Sequence, residues 1–226
     1  MIRFAFSPGW FSPIDSFFEL LALIVLVLIS LYAWKCYRTF EIKNYRHLAY
    51  AFFSLVAAFI FKIGSNIIIL YDRVRVATVG NVDVTVHQIV KSEAFSHIGT
   101  TMHYFFFLLG LLMLYTIIYK QTHKPTSILL TFFIIITTLF SYRTFFVFYL
   151  TSAFILGFIF VKYWRNYREK KAKNTLLLAL AFLVLMISHL VFIFVNIDLQ
   201  FYVVAEVLQL FGFILMLLAF ISIFRK

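Results

Sequence analysis

Apolar runs near the twenty residues that a helix needs to cross a ~30 Å hydrocarbon core recur from one end of this chain to the other. Such a chain cannot close around one water-soluble core. Its residues are 64% hydrophobic and 13% charged, where soluble domains run at roughly half and a quarter. The reading is all-α: a polytopic seven-helix transmembrane bundle, with candidate spans at about 17–37, 46–71, 95–120, 126–142, 144–165, 174–196 and 201–224. The fourth and fifth are separated by the polar "SYRT" at 141–144. A single helix over 126–165 would be ~60 Å long, twice the core, so the chain must fold back there.

Charge orients the spans. Lys35, Arg38, Lys43 and Arg46 follow span one, and Arg165, Arg168, Lys170, Lys171 and Lys173 follow span five. Lys120, Lys124, Arg225 and Lys226 fall on the same side, which the positive-inside rule makes cytoplasmic. The amino terminus is then outside, the carboxyl terminus inside, and the location the cell membrane, multi-pass. The net charge of +11 belongs to these loops, where anionic lipid is the expected partner, and not to a nucleic-acid surface. The lone Cys36 excludes a disulfide within one chain. Residues 1–16, with two prolines and several aromatics, are expected to lie as an extracellular interfacial segment.

The chain says one thing twice. Shifted by 130, "WKCYRTFEIKNYRHLAYAF" from residue 34 meets "WRNYREKKAKNTLLLALAF" from residue 164. The ungapped match covers 34–67 against 164–197 and includes the uncommon pairs Trp34/Trp164, Tyr37/Tyr167, Arg38/Arg168, Asn44/Asn174 and Asn66/Asn196. A second shift of 106 pairs 103–120 with 209–226, mostly through Phe and Leu, and makes His103 the counterpart of Gln209. The domains expected are a first three-span repeat at 17–120, a linking span at 121–143 and a second repeat at 144–226. An odd linker leaves the two copies parallel. The first copy carries an extra outer loop, 72–94, whose β-branched alternation suggests a small hairpin.

This 3+1+3 layout resembles the SWEET sugar transporters and, more distantly, the microbial rhodopsins, in plan alone. The only prolines are Pro8, Pro13 and Pro125, so the proline–glutamine signature of SWEET-like first helices is missing, and span seven has no lysine for a retinal. Each half, with its Y-x-x-Y-R turn and L-A-x-A-F second helix, is also similar to three-span microbial membrane proteins of uncharacterised function.

Ionisable groups within hydrocarbon are costly and mark function. Lys62, His103, His189, Glu206 and Gln209 fall ~8–12 Å below the outer end of their helices at 1.5 Å per residue. Helical spacing places Lys62 with Asn66, Glu206 with Gln209, and Ser96 with Thr100 and His103 on common faces. The expected site is an outward-opening polar pocket between spans two, three, six and seven, lined by Lys62, Asn66, His103, His189, Glu206 and Gln209, with Tyr104, Tyr149 and Thr151 as further candidates. Plainer roles compete: interhelical hydrogen bonds for His103 and Gln209, and snorkelling or pairing with Glu206 for Lys62. The function that follows is binding of a small molecule or ion for transport or sensing, without a resident cofactor. The alternatives are a metal-dependent intramembrane hydrolase holding zinc on His103, His189 and Glu206, and a non-catalytic subunit that meets a second copy or another membrane protein.

Overall fold

In the computed structural model, residues 8, 10–78, 82–120, 124–141 and 143–224 are described, with the backbone alone at 12–13, 68–94, 124 and 223–224. The first seven residues of the expected interfacial segment lie outside this set, as do Arg225 and Lys226. The helices are α1 (Ser12–Phe40), α2 (Lys43–Thr78), α3 (Val82–Ile118), α4 (Lys124–Ser141), α5 (Phe145–Lys170), α6 (Lys173–Phe192) and α7 (Gln200–Phe224), with a 3-10 turn at Ile193–Asn196. All but α4 are long and apolar enough to cross a membrane. The eighteen residues of α4 reach ~27 Å, just short of the core thickness.

Two boundaries depart from expectation. Pro13 sits in the first turn of α1, where its missing N–H costs nothing, and the helix begins at Ser12 instead of 17. The outer segment expected as a hairpin is helical on both sides of 79–81, as α2 and α3 run on. β-Branched residues only mildly disfavour a helix, and an already nucleated helix propagates more readily than a new strand pair forms.

The duplicated stretch is an interhelical turn. Glu41 and Lys171, one at each end of the 130-residue shift, close α1 and α5 in the left-handed conformation at φ 55° and 52°. Their N–H groups donate to Tyr37 O and Tyr167 O at 2.8 and 2.7 Å. Trp34 packs on Tyr37 and Trp164 on Tyr167, with ring centroids 5.7 and 5.9 Å apart. A cation lies over each tyrosine: Arg46 on Tyr37 at 5.6 Å, and Lys171 on Tyr167 at 5.5 Å. Trp, Tyr and the basic residues thus recur because each copy needs the same reversal at the basic end of the bundle.

Within each copy the middle helix packs between the other two: α2 between α1 and α3, and α6 between α5 and α7. The copies meet where α1 touches α7 and where α3 touches α5, so six helices form a closed ring with a pseudo-twofold relation. The α4 helix stays outside, on α3 and α5. Contacts between Tyr202 and Asp15, Lys62 and Glu19, and Tyr149 and Phe192 place the starts of α1, α5 and α7 level with the second half of α2 and the end of α6. The copies are therefore parallel. Because α3 finishes at the basic end, with Tyr119 donating to Phe158 O at 2.9 Å, α4 must return the chain to the opposite level before α5 begins.

The ring is filled by aromatic side chains. Phe59 meets Phe213 at 5.5 Å and Phe52 meets Phe220 at 5.6 Å across α2 and α7, while Tyr104 stacks on Phe148 at 4.2 Å across α3 and α5. The outside is equally apolar. Leu20, Ile24, Leu28 and Leu31 form an exposed stripe on α1, as do Ile128, Phe132, Ile135 and Leu139 on α4. Stripes of this extent would drive association in water, whereas hydrocarbon solvates them. The protein is an integral membrane protein.

Glycine contacts set the register of the third helices. A Cβ at Gly110 would fall 2.8 Å from Leu55 Cγ, and one at Gly212 would fall 2.7 Å from Leu185 Cγ. Leu55 and Leu185 are 130 apart, yet Gly110 and Gly212 are 102 apart. The hydrogen bonds agree. His103 Nδ1 donates to Ala58 O at 3.0 Å, and Ser188 Oγ, the counterpart of Ala58, donates to Ala205 O at 2.8 Å. The shift of 106 read from identities is thus one helical turn too long. His103 answers to Ala205, Tyr104 to Glu206 and Phe107 to Gln209.

Candidate functional site

At the level where α1 and α7 begin, the charged residues of the ring meet. Lys62 projects from α2, and its ammonium donates to Glu19 Oε1 of α1 at 3.0 Å and to Glu206 Oε1 of α7. Asn66, one turn further along α2, donates to the same Glu19 oxygen at 2.8 Å. One turn before Glu19, Asp15 accepts from the Tyr202 hydroxyl at 2.8 Å. One oxygen each from Asp15, Glu19 and Glu206 can be chosen so that all three lie within 4.8 Å of one another. The i, i+4 spacing of Asp15 and Glu19 puts both on the face of α1 that looks into the ring. Glu19 lies seven residues into α1 and Glu206 six into α7, hence ~9–10 Å along each helix.

This cluster is almost dry. Asp15, Glu19 and Glu206 are 2%, 0% and 3% exposed, and Lys62, with 15% of its side chain exposed, is the member nearest solvent. Beside it Phe11 packs on Phe18 and edge-on to Tyr202, the partner of Asp15. The Phe59 ring centroid lies 5.9 Å from the Lys62 ammonium. Charges so placed are tolerated only when paired and hydrogen-bonded. The pairing here is incomplete: Asp15 Oδ1 and Glu19 Oε2 have no hydrogen-bond partner among the described residues.

Of the residues expected to form the site, Lys62, Asn66 and Glu206 do come together. Lys62 pairs with Glu206, one of the plainer roles weighed for it, and does not snorkel away. His103 and His189 are buried nearby but face differently. Their Nδ1 atoms lie 3.0 and 2.9 Å from the carbonyls of Ala58 and Leu185, which can only accept, so Nδ1 carries the proton in both rings. Both rings pack on Phe107, His189 stacked at 5.2 Å and His103 tilted at 5.8 Å. Gln209 is buried one turn beyond Glu206, and its Oε1 also lacks a partner among the described residues.

Asn196 does not mirror Asn66. It ends the 3-10 turn and is exposed, because α6 stops at Phe192 while α2 continues. Thr100 donates to Ser96 O at 2.9 Å, so its hydroxyl is spent on the backbone of α3 itself. Tyr104 and Tyr149 belong to the aromatic packing, with Tyr149 stacked on Phe192 at 4.6 Å.

Among the described residues, the grouping able to hold a metal is Asp15, Glu19 and Glu206. Only Glu206 is shared with the zinc ligands considered from sequence. Three carboxylates form a hard oxygen set, suited to magnesium, calcium or manganese, while zinc prefers the imidazoles that here lie in aromatic packing. The Lys62 ammonium already bridges two of the three acids.

Sequence reasoning missed Asp15, Glu19 and Tyr202. Pro13 followed by two acids at i, i+4 is a helix-start signal. It was obscured by Trp10 and Phe11, which with Asp15 read as an interfacial segment over 1–16 and left Glu19 at the very start of span one.

The two copies use equivalent positions for opposite chemistry. Glu19, Lys62 and Glu206 correspond to Tyr149, Phe192 and Tyr104 at shifts of 130 and 102. One seam of the ring, α1 with α2 and α7, is ionic, and the other, α5 with α6 and α3, is aromatic. Compared with protein-family models, with curated proteins and with solved structures, the chain matches none.

Proposed function

We propose that this membrane protein binds a small molecule or ion at the ionic seam between α1, α2 and α7, for transport or for sensing. The observation that carries the reading is a charge imbalance: three carboxylates buried in an apolar bundle face one ammonium, and two carboxylate oxygens have no partner among the described residues. Packing alone does not call for this, since the equivalent positions of the other copy are filled by Tyr149, Phe192 and Tyr104. A buried, partly satisfied ionic network lowers stability relative to an apolar one, which favours a site that a ligand completes. The cluster lies toward the end of the bundle opposite the basic turns, which we take as the outside of the cell membrane and the side from which a ligand enters, and the basic turns rest on anionic headgroups.

Substituted-cysteine accessibility tests this reading in a Cys36→Ala background. Asn66→Cys, beside Lys62 at the solvent-nearest part of the cluster, is expected to react with a membrane-impermeant thiol reagent applied from outside. Leu108→Cys, in the fully buried aromatic core, is expected to stay inert. Reaction of Asn66→Cys from the inside only, or from neither side, contradicts an outward-opening site.

A further inference from the structure

Donors and acceptors around the cluster do not balance. The donor atoms that find a partner are the Lys62 ammonium, on Glu19 and Glu206, the Asn66 amide, on Glu19, the Tyr202 hydroxyl, on Asp15, and Nδ1 of both histidines, on backbone carbonyls. The buried atoms near the cluster that have no partner at all are acceptors. Asp15 Oδ1, Glu19 Oε2 and Gln209 Oε1 have no partner among the described residues, and their residues are 2%, 0% and 5% exposed. Gln209 is not an acid; it sits on the face of α7 that carries Glu206 and adds a neutral acceptor one turn deeper. A ligand that completes this set must bring positive charge and N–H donors together.

We infer that the ligand is a small primary ammonium compound, such as an alkylamine or a short diamine. The inference rests on the ligand-site reading above and names the chemistry of what binds. Lys62 is the internal precedent: its own –NH3+ bridges two of the carboxylates, with the Phe59 ring beside it, so the cage already accepts this group in a dry setting. A second ammonium would donate to Asp15 Oδ1 and Glu19 Oε2 and bring the cluster closer to neutrality. A quaternary ammonium has charge but no N–H and would leave both oxygens unsatisfied. A diamine could extend its second amine toward Gln209 Oε1.

The test uses the whole protein in lipid nanodiscs and follows Tm against concentration of ethylammonium, 1,4-diaminobutane, tetramethylammonium, sodium and magnesium chlorides. The two primary amines are expected to raise Tm in a saturable way, since a ligand that binds only the folded state stabilises it by mass action. Tetramethylammonium is expected to do nothing, and the rise is expected to vanish in Asp15→Asn and Glu19→Gln, which keep shape and remove charge. A second measurement covers the case where those variants fold poorly. Lys62→Ala, purified in propylammonium, should gain more Tm from that amine than the wild type does, and gain nothing from tetramethylammonium. The inference is overturned if the amines leave Tm unchanged, if tetramethylammonium matches them, or if sodium or magnesium alone raises Tm. Should a neutral or anionic compound raise Tm and lose that effect in the Asp15 and Glu19 variants, the ammonium inference fails while the ligand site stands.

Discussion

Each ionisable side chain of the ionic seam answers to the same physics: inside a bundle a charge must find its partner within a few ångströms or raise the energy of the fold. Gln209 gives the simplest check. Its Oε1 is buried without a partner among the described residues, so removing the polar group relieves a penalty instead of breaking a bond. Gln209→Leu is expected to be neutral or to stabilise by ~1 kcal/mol in reversible detergent unfolding, while weakening any ligand effect on Tm. A loss of 2 kcal/mol or more would show that Gln209 holds a partner. Tyr202→Phe removes the hydroxyl that donates to Asp15 and should cost ~1–3 kcal/mol, because it leaves a third buried carboxylate oxygen unsatisfied. Stability unchanged within error would mean that Asp15 is not held there. At this scale the sequence was half legible. Lys62 and Glu206 stand out because a charge in a long apolar run has few explanations. Asp15 and Glu19 did not, since a helix start only one turn earlier than expected separates a headgroup residue from a buried one.

Helices and turns explain why the rest was harder to read. The reversal between α1 and α2, and again between α5 and α6, uses a left-handed residue that is Glu41 in one copy and Lys171 in the other. Neither is glycine, though a Cβ in this conformation costs ~1–2 kcal/mol. Glu41→Gly and Lys171→Gly are each expected to stabilise by about 0.5–1 kcal/mol, and equal destabilisation of both would contradict the cap assignment. The close approaches at Gly110 and Gly212 predict the reverse. Alanine at either position pushes against Leu55 or Leu185 and the backbone behind it, and should cost ~1–3 kcal/mol, whereas Gly64→Ala, with open space around its Cβ, should not. These contacts also explain the misread register. In helices of Leu and Phe chance identities are frequent, and over 103–120 the shift of 106 gives seven while the structural shift of 102 gives two, one of them the Gly110/Gly212 pair. The Trp, Tyr and Arg of the turn had no such degeneracy and aligned correctly. The outer ends of α2 and α3 went wrong for another reason: alternating β-branched residues signal strand only where a partner strand competes with a helix already under way.

For the whole molecule, duplication supplied a symmetric ring, and divergence gave its two seams different chemistry. The parallel order of the copies followed from the odd number of linking helices and from charge, and the contacts at the level of the ionic seam agree with it. Orientation in the bilayer is the expectation that remains open to a direct test. Arg165, Arg168, Lys170, Lys171 and Lys173 are either exposed or lead into the exposed turn after α5. In the Cys36→Ala protein, Lys171→Cys is expected to label from the cytoplasmic side only; labelling from outside would invert the topology and with it the direction in which the site opens.

The central claim is that helices from opposite copies are tied together through one buried ammonium. A double-mutant cycle of Lys62→Met and Glu206→Gln, read as reversible unfolding free energy in detergent, tests it most directly. Lys62→Met leaves Glu19 and Glu206 without their cation and should cost ~3–5 kcal/mol, while the double variant should recover part of that loss, giving a coupling of at least ~1 kcal/mol. Additive effects within ~0.5 kcal/mol would mean that the two residues do not meet, and the ionic seam would go with them.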